Sequence, residues 1–158
     1  MQNHTGPDTP NGEIAARQAM MKVLALAARA DIEAAFATLG SLPEFTPMRA
    51  PETGLVMLRA QAGGQGAPFN LGEVTVSRAV TECATGHIGY SFLLGRDTRK
   101  AQTAAKIDAL WQNPSFRNQI EARILAPLRA KQQAADQLAA RQTEATKVDF
   151  FTLVRGED

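Results

Sequence analysis

The chain has 158 residues, with 17 lysines and arginines against 16 acidic residues and a formal net charge of +1. This length suits one domain, and the balanced charge excludes the strong global field that attracts nucleic acid or a membrane surface. Cys83 is the single cysteine, which excludes an internal disulfide and fits a reducing compartment. No apolar run approaches the roughly 20 residues that a membrane span requires. We therefore expect a cytoplasmic protein that contacts neither membrane nor nucleic acid.

Two helices are predicted near the start of the chain. Residues 1–12 are polar and contain two prolines and two glycines, which is typical of a flexible N-terminus. The segment from Glu13 to about Ala30 is rich in strong helix formers and carries one apolar stripe. A second, shorter helix is predicted from Asp31 to Leu39, where Gly40 ends it. A single α+β domain is therefore expected over residues 13–147.

The middle of the chain predicts a small antiparallel sheet of three or four strands. The segment Glu44–Arg49 is compatible with an extended chain, which Pro47 confines to an edge or to an irregular segment. Leu55–Ala62 alternates as a strand does. After a glycine-rich turn, Phe69–Cys83 forms one long strand or a pair broken at Gly72. The large residues of Ile88–Leu94 recur at every second position, which predicts a central strand with one well-filled face. Because the connections are too short for helical crossovers, we expect a meander.

Helices are predicted over most of the remaining chain. Thr98–Gln112 has apolar residues at helical intervals, and Ser115–Leu125 continues with a second stripe. Pro127 then breaks or kinks the helix, unless a new helix begins there with proline in its first turn. The fold class is therefore α+β, with N-terminal helices, a meander-like sheet and a long C-terminal helical region.

The end of the chain predicts a surface for another molecule. The helix expected over residues 128–146 is almost entirely alanine, glutamine and charged residues, so it buries little within its own domain. The tail that follows, residues 148–158, begins with a segment that is apolar on both faces if extended, and such residues avoid water. This tail either adds a strand to the protein's own sheet or docks on a partner as an arm, and the weakly apolar helix favours the second. The partner-interface candidates are Leu138, Phe150, Phe151, Leu153 and Arg155.

Reactive side chains are few in this sequence. His4 and His87 are the two histidines, so a zinc site with ordinary ligand spacing is not expected. Cys83 precedes His87 by four positions across a turn, and we interpret it as a packed thiol rather than a nucleophile. The run Gly63-Gly64-Gln65-Gly66 lacks the Lys-Ser/Thr ending of a P-loop and is interpreted as a hairpin turn. Glu52 is likewise interpreted as a turn residue. No catalytic residue, metal ligand or cofactor ligand is predicted.

The start of the helix at Thr98 is the best candidate site for an anion. Asp97 is a good N-cap, because its carboxylate can accept hydrogen bonds from the first-turn amides. Cations are normally unfavourable at this positive end of a helix, yet three lie there. They could hold a phosphate or a partner's carboxylates, or Asp97 could cap the helix while the cations are merely solvated. The anion or interface candidates are Arg96, Asp97, Arg99 and Lys100.

An ordered series of motifs resembles the G subunit of the bacterial carbon–phosphorus lyase core complex, the PhnG family. The likeness runs from about Arg17 to Glu157 and departs at Met20, where relatives often carry a tryptophan. The motifs are Pro51-Glu52-Thr53-Gly54-Leu55-Val56, Gly63-Gly64-x-Gly66, Gly72-Glu73-x-Thr75, Gly89-Tyr90-Ser91-Phe92, Gly95-Arg96-Asp97, Ile107-Asp108-Ala109-Leu110, Ala126-Pro127-Leu128 and, most diagnostic, Val148-Asp149-Phe150-Phe151-Thr152-Leu153-Val154-Arg155-Gly156.

The resemblance implies a supporting role in phosphonate breakdown. Members of this family assemble with the H, I and J subunits and work with the ATPase-like L subunit. The first step joins an alkylphosphonate to the ribose C1′ of ATP and gives adenine and ribose 1-alkylphosphonate 5-triphosphate. This chemistry is placed on the I subunit, and the later radical step uses S-adenosylmethionine and an iron–sulfur cluster on the J subunit. A single cysteine agrees with this division, because such clusters need several thiolates.

The resemblance also gives the two candidate surfaces a meaning. The alanine-rich helix and the Phe150-Phe151 arm are expected to bind the I subunit. Arg96, with Arg99 or Lys100, is expected near the partner's nucleotide pocket or in an intersubunit salt link. Two alternatives stay open at this stage, a stand-alone anion- or nucleotide-binding module and an independent transferase.

Overall fold

The computed structural model describes residues 10–64 and 66–146. In that part the chain is α+β, as predicted, with one three-stranded antiparallel sheet. The tail over residues 148–158 and His4 lie outside the described residues. The elements are α1 (Pro10–Leu26), α2 (Arg29–Ala37), β1 (Phe45–Gln61), a 3-10 turn (Ala62–Gly64), β2 (Pro68–Cys83), β3 (Ile88–Leu94), α3 (Thr98–Gln112), α4 (Pro114–Ile120), a π-helical turn (Glu121–Leu125) and α5 (Ala126–Ala145).

The sheet is a meander with the order β1-β2-β3, so β2 is its central strand. We expected β3 to be the central strand, but it lies at an edge. The two segments expected at Glu44–Arg49 and Leu55–Ala62 belong to the single long strand β1. Glu52 lies inside that strand opposite Arg78, so its interpretation as a turn residue is wrong. β2 runs unbroken through Gly72, where a register shift against β1 absorbs one extra residue.

The core lies between the helices and one face of β2 and β3. Along β2, alternate residues from Ser77 to Cys83 are buried, and these side chains point towards the helices. α3 packs on both strands through a row of fully buried alanines, which lets its backbone approach closely. These alanines are Ala101, Ala104, Ala105 and Ala109.

The large residues of β3 point away from this core. Tyr90, Phe92 and Leu94 are 52%, 56% and 77% exposed, whereas the alternate residues Gly89, Ser91 and Leu93 are buried. The prediction that the large residues form the filled face is therefore wrong. The reason is the close approach of α3 at Gly89 and Ser91, which leaves room there only for small side chains.

Pro127 lies within a helical run that continues from α4 into α5. A proline removes one backbone donor and its ring crowds the carbonyl four residues earlier, so a regular helix cannot pass through it unchanged. The π-helical turn Glu121–Leu125 immediately precedes Pro127, and the Ala126 N–H donates to the carbonyl of Glu121 five residues back. The wider turn accommodates the proline and lets the helix continue.

Candidate functional site

The predicted N-cap at the start of α3 is confirmed. The Asp97 carboxylate accepts a hydrogen bond of 2.9 Å from the Lys100 N–H. The Lys100 ammonium turns back towards α1 and donates to the Ala25 carbonyl at 2.6 Å. Partial burial lowers the pKa of Lys100, and the charge of Asp97 opposes this shift. One of the three cations thus stabilises the carbonyl end of α1, where positive charge is favourable.

Arg96 and Arg99, the other two cations, lie exposed beside this cap. Neither guanidinium forms an ion pair or a hydrogen bond with another residue in the described part of the chain. The Asp97 carboxylate instead lies 3.7 Å from the Nε of Arg29, on α2. The structure therefore separates the four candidates into a structural pair, Asp97 and Lys100, and two free arginines that can meet a carboxylate or phosphate from outside.

Asp108 is the one charged side chain that is fully buried among the described residues. It accepts two hydrogen bonds from the Arg17 guanidinium, at 2.7 and 2.6 Å, and one of 2.8 Å from the Tyr90 N–H. The hydrogen bond with Asp108 raises the pKa of Arg17, against the lowering effect of partial burial. Gln112, one turn along α3, donates to the Ile88 carbonyl at 2.8 Å. Asp108 and Gln112 thus satisfy backbone groups along the edge of β3 that has no neighbour among the described strands.

A cleft of about 630 Å³ opens between α1, β2 and β3 beside this ion pair. Three arginines reach it, and each has a carboxylate partner: Arg17 pairs with Asp108, while Arg49 and Arg78 both contact Glu52, at 3.0 and 2.7 Å. The apolar part of the lining includes Ile14, Met21, Val80, Tyr90 and Phe92. Such a cleft suits a ligand or peptide that has both an apolar body and an anionic group.

Cys83 is a packed thiol, as interpreted from the sequence, because it is 1% exposed. Its backbone N–H donates to the His87 carbonyl, while the His87 ring lies 3.0 Å from the Thr85 hydroxyl. In the described part of the chain, no group of three or more histidine, cysteine, aspartate or glutamate side chains could hold a metal ion. No helix there is long and apolar enough to cross a membrane.

Most of the large exposed apolar side chains among the described residues lie on the sheet, and the others are Ile14 and Leu26 on α1 and Leu138 on α5. Leu138, a predicted interface residue, is 58% exposed near the end of α5. The other four interface candidates, Phe150, Phe151, Leu153 and Arg155, lie outside the described residues. The sequence reasoning did not single out the exposed side chains of the sheet, among which the most exposed are Met48, Leu55, Leu71, Phe92 and Leu94.

Comparison with known proteins identifies the family. Residues 15–156 match the family described as phosphonate metabolism protein PhnG. The chain belongs to the PhnG family. A PhnG relative in Rhizobium meliloti (strain 1021), described as alpha-D-ribose 1-methylphosphonate 5-triphosphate synthase subunit PhnG, is 46% identical over 145 residues, 92% of each chain. The predicted resemblance is thereby confirmed, and the PhnG match includes α5, most of the tail and all of the cleft lining except Ile14.

Proposed function

We propose that this chain is an accessory subunit of the carbon–phosphorus lyase core complex. In this role it supports the conversion of ATP and an alkylphosphonate to ribose 1-alkylphosphonate 5-triphosphate and adenine. The observation that carries the proposal is the 46% identity, over 92% of both chains, with a relative described as a subunit of such a synthase. The partners are the H, I and J subunits, together with the L subunit, and the complex works in the cytoplasm.

The paired state of the charged groups supports an accessory rather than a catalytic role. Asp108 holds Arg17 and the edge of β3, and Glu52 holds the two other arginines of the cleft. These side chains stabilise the fold, so none is free to act as a base or a nucleophile. The chemistry then belongs to the partners, with ATP as substrate and with S-adenosylmethionine and an iron–sulfur cluster on the J subunit.

The end of α5 is the proposed contact with the I subunit. Within the described ranges, the last side-chain hydrogen bonds from this helix to other elements are those of Lys131 with Asp31, at 2.6 Å, and of Gln132 with the Val23 carbonyl, at 2.8 Å. Residues 133–144 are exposed, and a helix of that length extends about 18 Å. Leu138 lies on this projecting part, which leads towards the tail residues Phe150, Phe151, Leu153 and Arg155.

The two free arginines at the start of α3 are proposed to serve the same complex. In this proposal, Arg96 and Arg99 lie near the nucleotide pocket of the partner or form a salt link between subunits. Lys100 is excluded from this role while its ammonium is bound to the Ala25 carbonyl. Replacement of Arg96 by alanine should lower assembly or turnover, whereas unchanged assembly and turnover would refute this assignment.

Co-expression with the other subunits tests the proposed function. The H, I and J subunits are purified with and without this chain, and adenine release from ATP and methylphosphonate is measured with the L subunit present. We expect co-purification of this chain and a loss of adenine release when it is omitted. Full adenine release without the chain, or failure to co-purify, would contradict the proposal.

The arginine-lined cleft favours one second candidate function, a stand-alone module that binds an anion or nucleotide. The cleft has apolar walls for a base and three guanidinium groups, for which a phosphate would compete with Asp108 and Glu52. Calorimetry of ATP binding to the isolated chain separates the candidates. Saturable ATP binding to the isolated chain would favour the module, whereas binding only by the assembled complex favours the accessory subunit.

A further inference from the structure

Arg49 and Arg78 share one carboxylate oxygen on the sheet face that lines the cleft. The Nε of Arg78 donates to Oε1 of Glu52 at 2.7 Å, and the Nε of Arg49 lies 3.0 Å from the same oxygen. A guanidinium carries several N–H donors, and the terminal amino groups of both arginines donate to none of the described residues. Two guanidinium groups thus face one carboxylate and keep their outer donors available.

The other charges of the cleft do not compensate this pair of arginines. Arg17, the third guanidinium, is committed, because its Nε and one terminal amino group donate to the two oxygens of Asp108. The three cations and two carboxylates of the described cleft therefore leave one positive charge in excess. A single carboxylate matches that excess. A phosphate group carries roughly two negative charges at neutral pH, so it would compete with Glu52 or Asp108 for the arginines.

Apolar side chains lie next to the two arginines across the sheet. Arg49 is opposite Val80, which is opposite Tyr90, and Arg78 is opposite Phe92. These residues lie on the sheet face away from α3, because the residues that alternate with them along β2 are the buried ones. An anionic residue bound by the arginines would therefore place its neighbours against an aromatic surface.

The cleft is too open for a small molecule and suits a protein segment. Tyr90 and Phe92 line it, yet they are 52% and 56% exposed. Small-molecule pockets bury roughly 70–90% of their ligand, which needs more enclosure than these two rings provide. A segment of a partner protein is covered on its outer side by the partner itself, so an open cleft is sufficient for it.

We propose that Arg49 and Arg78 bind a carboxylate of another subunit of the synthase. An apolar residue next to that carboxylate packs on Tyr90 and Phe92. The inference rests on the proposed function, because it needs a second subunit. The incoming carboxylate accepts from the outer amino groups while Glu52 stays at the Nε atoms, so two cations then face two anions. This contact is separate from the free arginines at the start of α3 and from the end of α5.

Opposite substitutions in the pair of Arg78 with Glu52 test the inference in the assembled complex. Arg78→Gln removes the outer donors and should weaken retention of this chain by the other subunits at least about tenfold. Glu52→Gln breaks the same internal ion pair but leaves both guanidinium groups in place with more excess charge. Its retention should equal or exceed that of the wild type. Any other pattern would overturn the proposal, including equal losses, which a purely structural role of the pair predicts.

Two exposed residues outside the cleft give matched controls. Arg59→Gln removes a cation from the same strand as Arg49, and Leu94→Thr removes an apolar side chain from the same strand as Phe92. Arg49→Gln and Phe92→Thr should each weaken retention at least about tenfold. The controls should stay within about twofold of the wild type. A control that weakens retention as much as its counterpart in the cleft would refute the site.

Cross-linking identifies the carboxylate. The double variant Glu52→Gln, Arg78→Lys places an amine at the site and removes the internal carboxylate, and a water-soluble carbodiimide joins an amine to a carboxylate in contact with it. Mass spectrometry of the assembled complex should find position 78 joined to an aspartate, a glutamate or the C-terminal carboxylate of another subunit. If the wild type assembles, the lack of such a cross-link would refute this inference alone. A wild-type chain that fails to assemble would refute the proposed function, and the inference with it.

Discussion

Gly89 shows how a single hydrogen atom in place of a side chain fixes the packing of α3 on β3. A Cβ at this position would lie 1.9 Å from the Ala105 carbonyl oxygen and 2.6 Å from the Ala109 nitrogen. Both atoms belong to the backbone of α3, so no side-chain rotation can relieve the overlap. The helix as a whole would have to move away from the sheet.

Gly89→Ala should therefore lower the free energy of unfolding by about 3 kcal/mol or more, because overpacking against backbone cannot relax locally. Urea denaturation measures this change. Gly54→Ala is the matched control, since a Cβ there meets nothing within 4 Å. The control should change the free energy of unfolding by less than about 0.5 kcal/mol. Equal stability of the two variants would contradict the packing described here.

Asp108 is tolerated in the core because every donor around it is directed at its carboxylate. Asp108→Ala leaves the Arg17 guanidinium and the Tyr90 N–H without their partner. We expect a loss of about 2–4 kcal/mol in the free energy of unfolding, since orphaned polar groups at a buried ion pair are costly. Asp31→Ala breaks the more exposed pair with Lys131 and should cost less than about 1 kcal/mol. Similar losses in the two variants, measured by thermal and urea unfolding, would refute the role of Asp108.

Asp97 and Asp108 show which roles of single residues could be predicted from the sequence. The role of Asp97 was predictable, because a cap involves groups three residues apart. Asp108 lies at a position of the apolar stripe of α3, and this position indicates a buried charge that needs a partner. That partner, Arg17, is 91 positions away. No local pattern names a partner at that distance, so the ion pair and the cleft beside it were not predicted.

At the scale of elements, α3 depends on its first turn. Asp97→Ala removes the acceptor of the Lys100 N–H and should lower the free energy of unfolding by about 1 kcal/mol. Asp97→Asn keeps a side-chain acceptor and should retain most of that stability. Urea denaturation compares the two variants with the wild type. If the asparagine variant were as unstable as the alanine variant, the loss would come from the charge near Arg29 and not from the cap.

The strands show which properties of an element can be predicted from its own residues. Alternation in Ile88–Leu94 correctly gave a strand, but a period of two says only that two faces differ. Which face is buried depends on how closely the neighbouring element approaches. The alanines of α3 let this helix approach β3 closely, so the face with the smaller residues is the buried one. The turn interpretation of Glu52 was wrong for a related reason, because the adjacent threonine and glycine are compatible with an edge strand when β2 supplies the pairing.

At the scale of the whole molecule, the sequence predicted the α+β class, the meander and the family. It did not predict how far the β1–β2 hairpin extends beyond the third strand, since that distance depends on where β3 ends. Nor did it show that Lys100 turns to α1 while two neighbouring arginines stay free. The consequence is a packed body from which two described parts extend, the end of the β1–β2 hairpin and the end of α5.

The projecting end of α5 gives a prediction that separates assembly from folding. Leu138 is 58% exposed and Leu128, on the same helix, is 4% exposed. Leu138→Ser should change the free energy of unfolding by less than about 0.5 kcal/mol. Leu128→Ser should lower it by about 2–5 kcal/mol, because it deletes a buried leucine side chain.

The two variants should differ in the opposite way in the complex. Leu138→Ser should weaken retention of this chain by the I subunit by about tenfold in co-purification. Truncation of an interface anchor typically costs about 1 kcal/mol or more of binding free energy, and a loss of about 1.4 kcal/mol corresponds to a tenfold weaker affinity. Leu128→Ser, at a temperature where it is still folded, should be retained normally, because its side chain is not on the surface. A Leu138→Ser chain that is stable and fully retained would show that the end of α5 is solvated, and the contact with the I subunit would have to lie elsewhere.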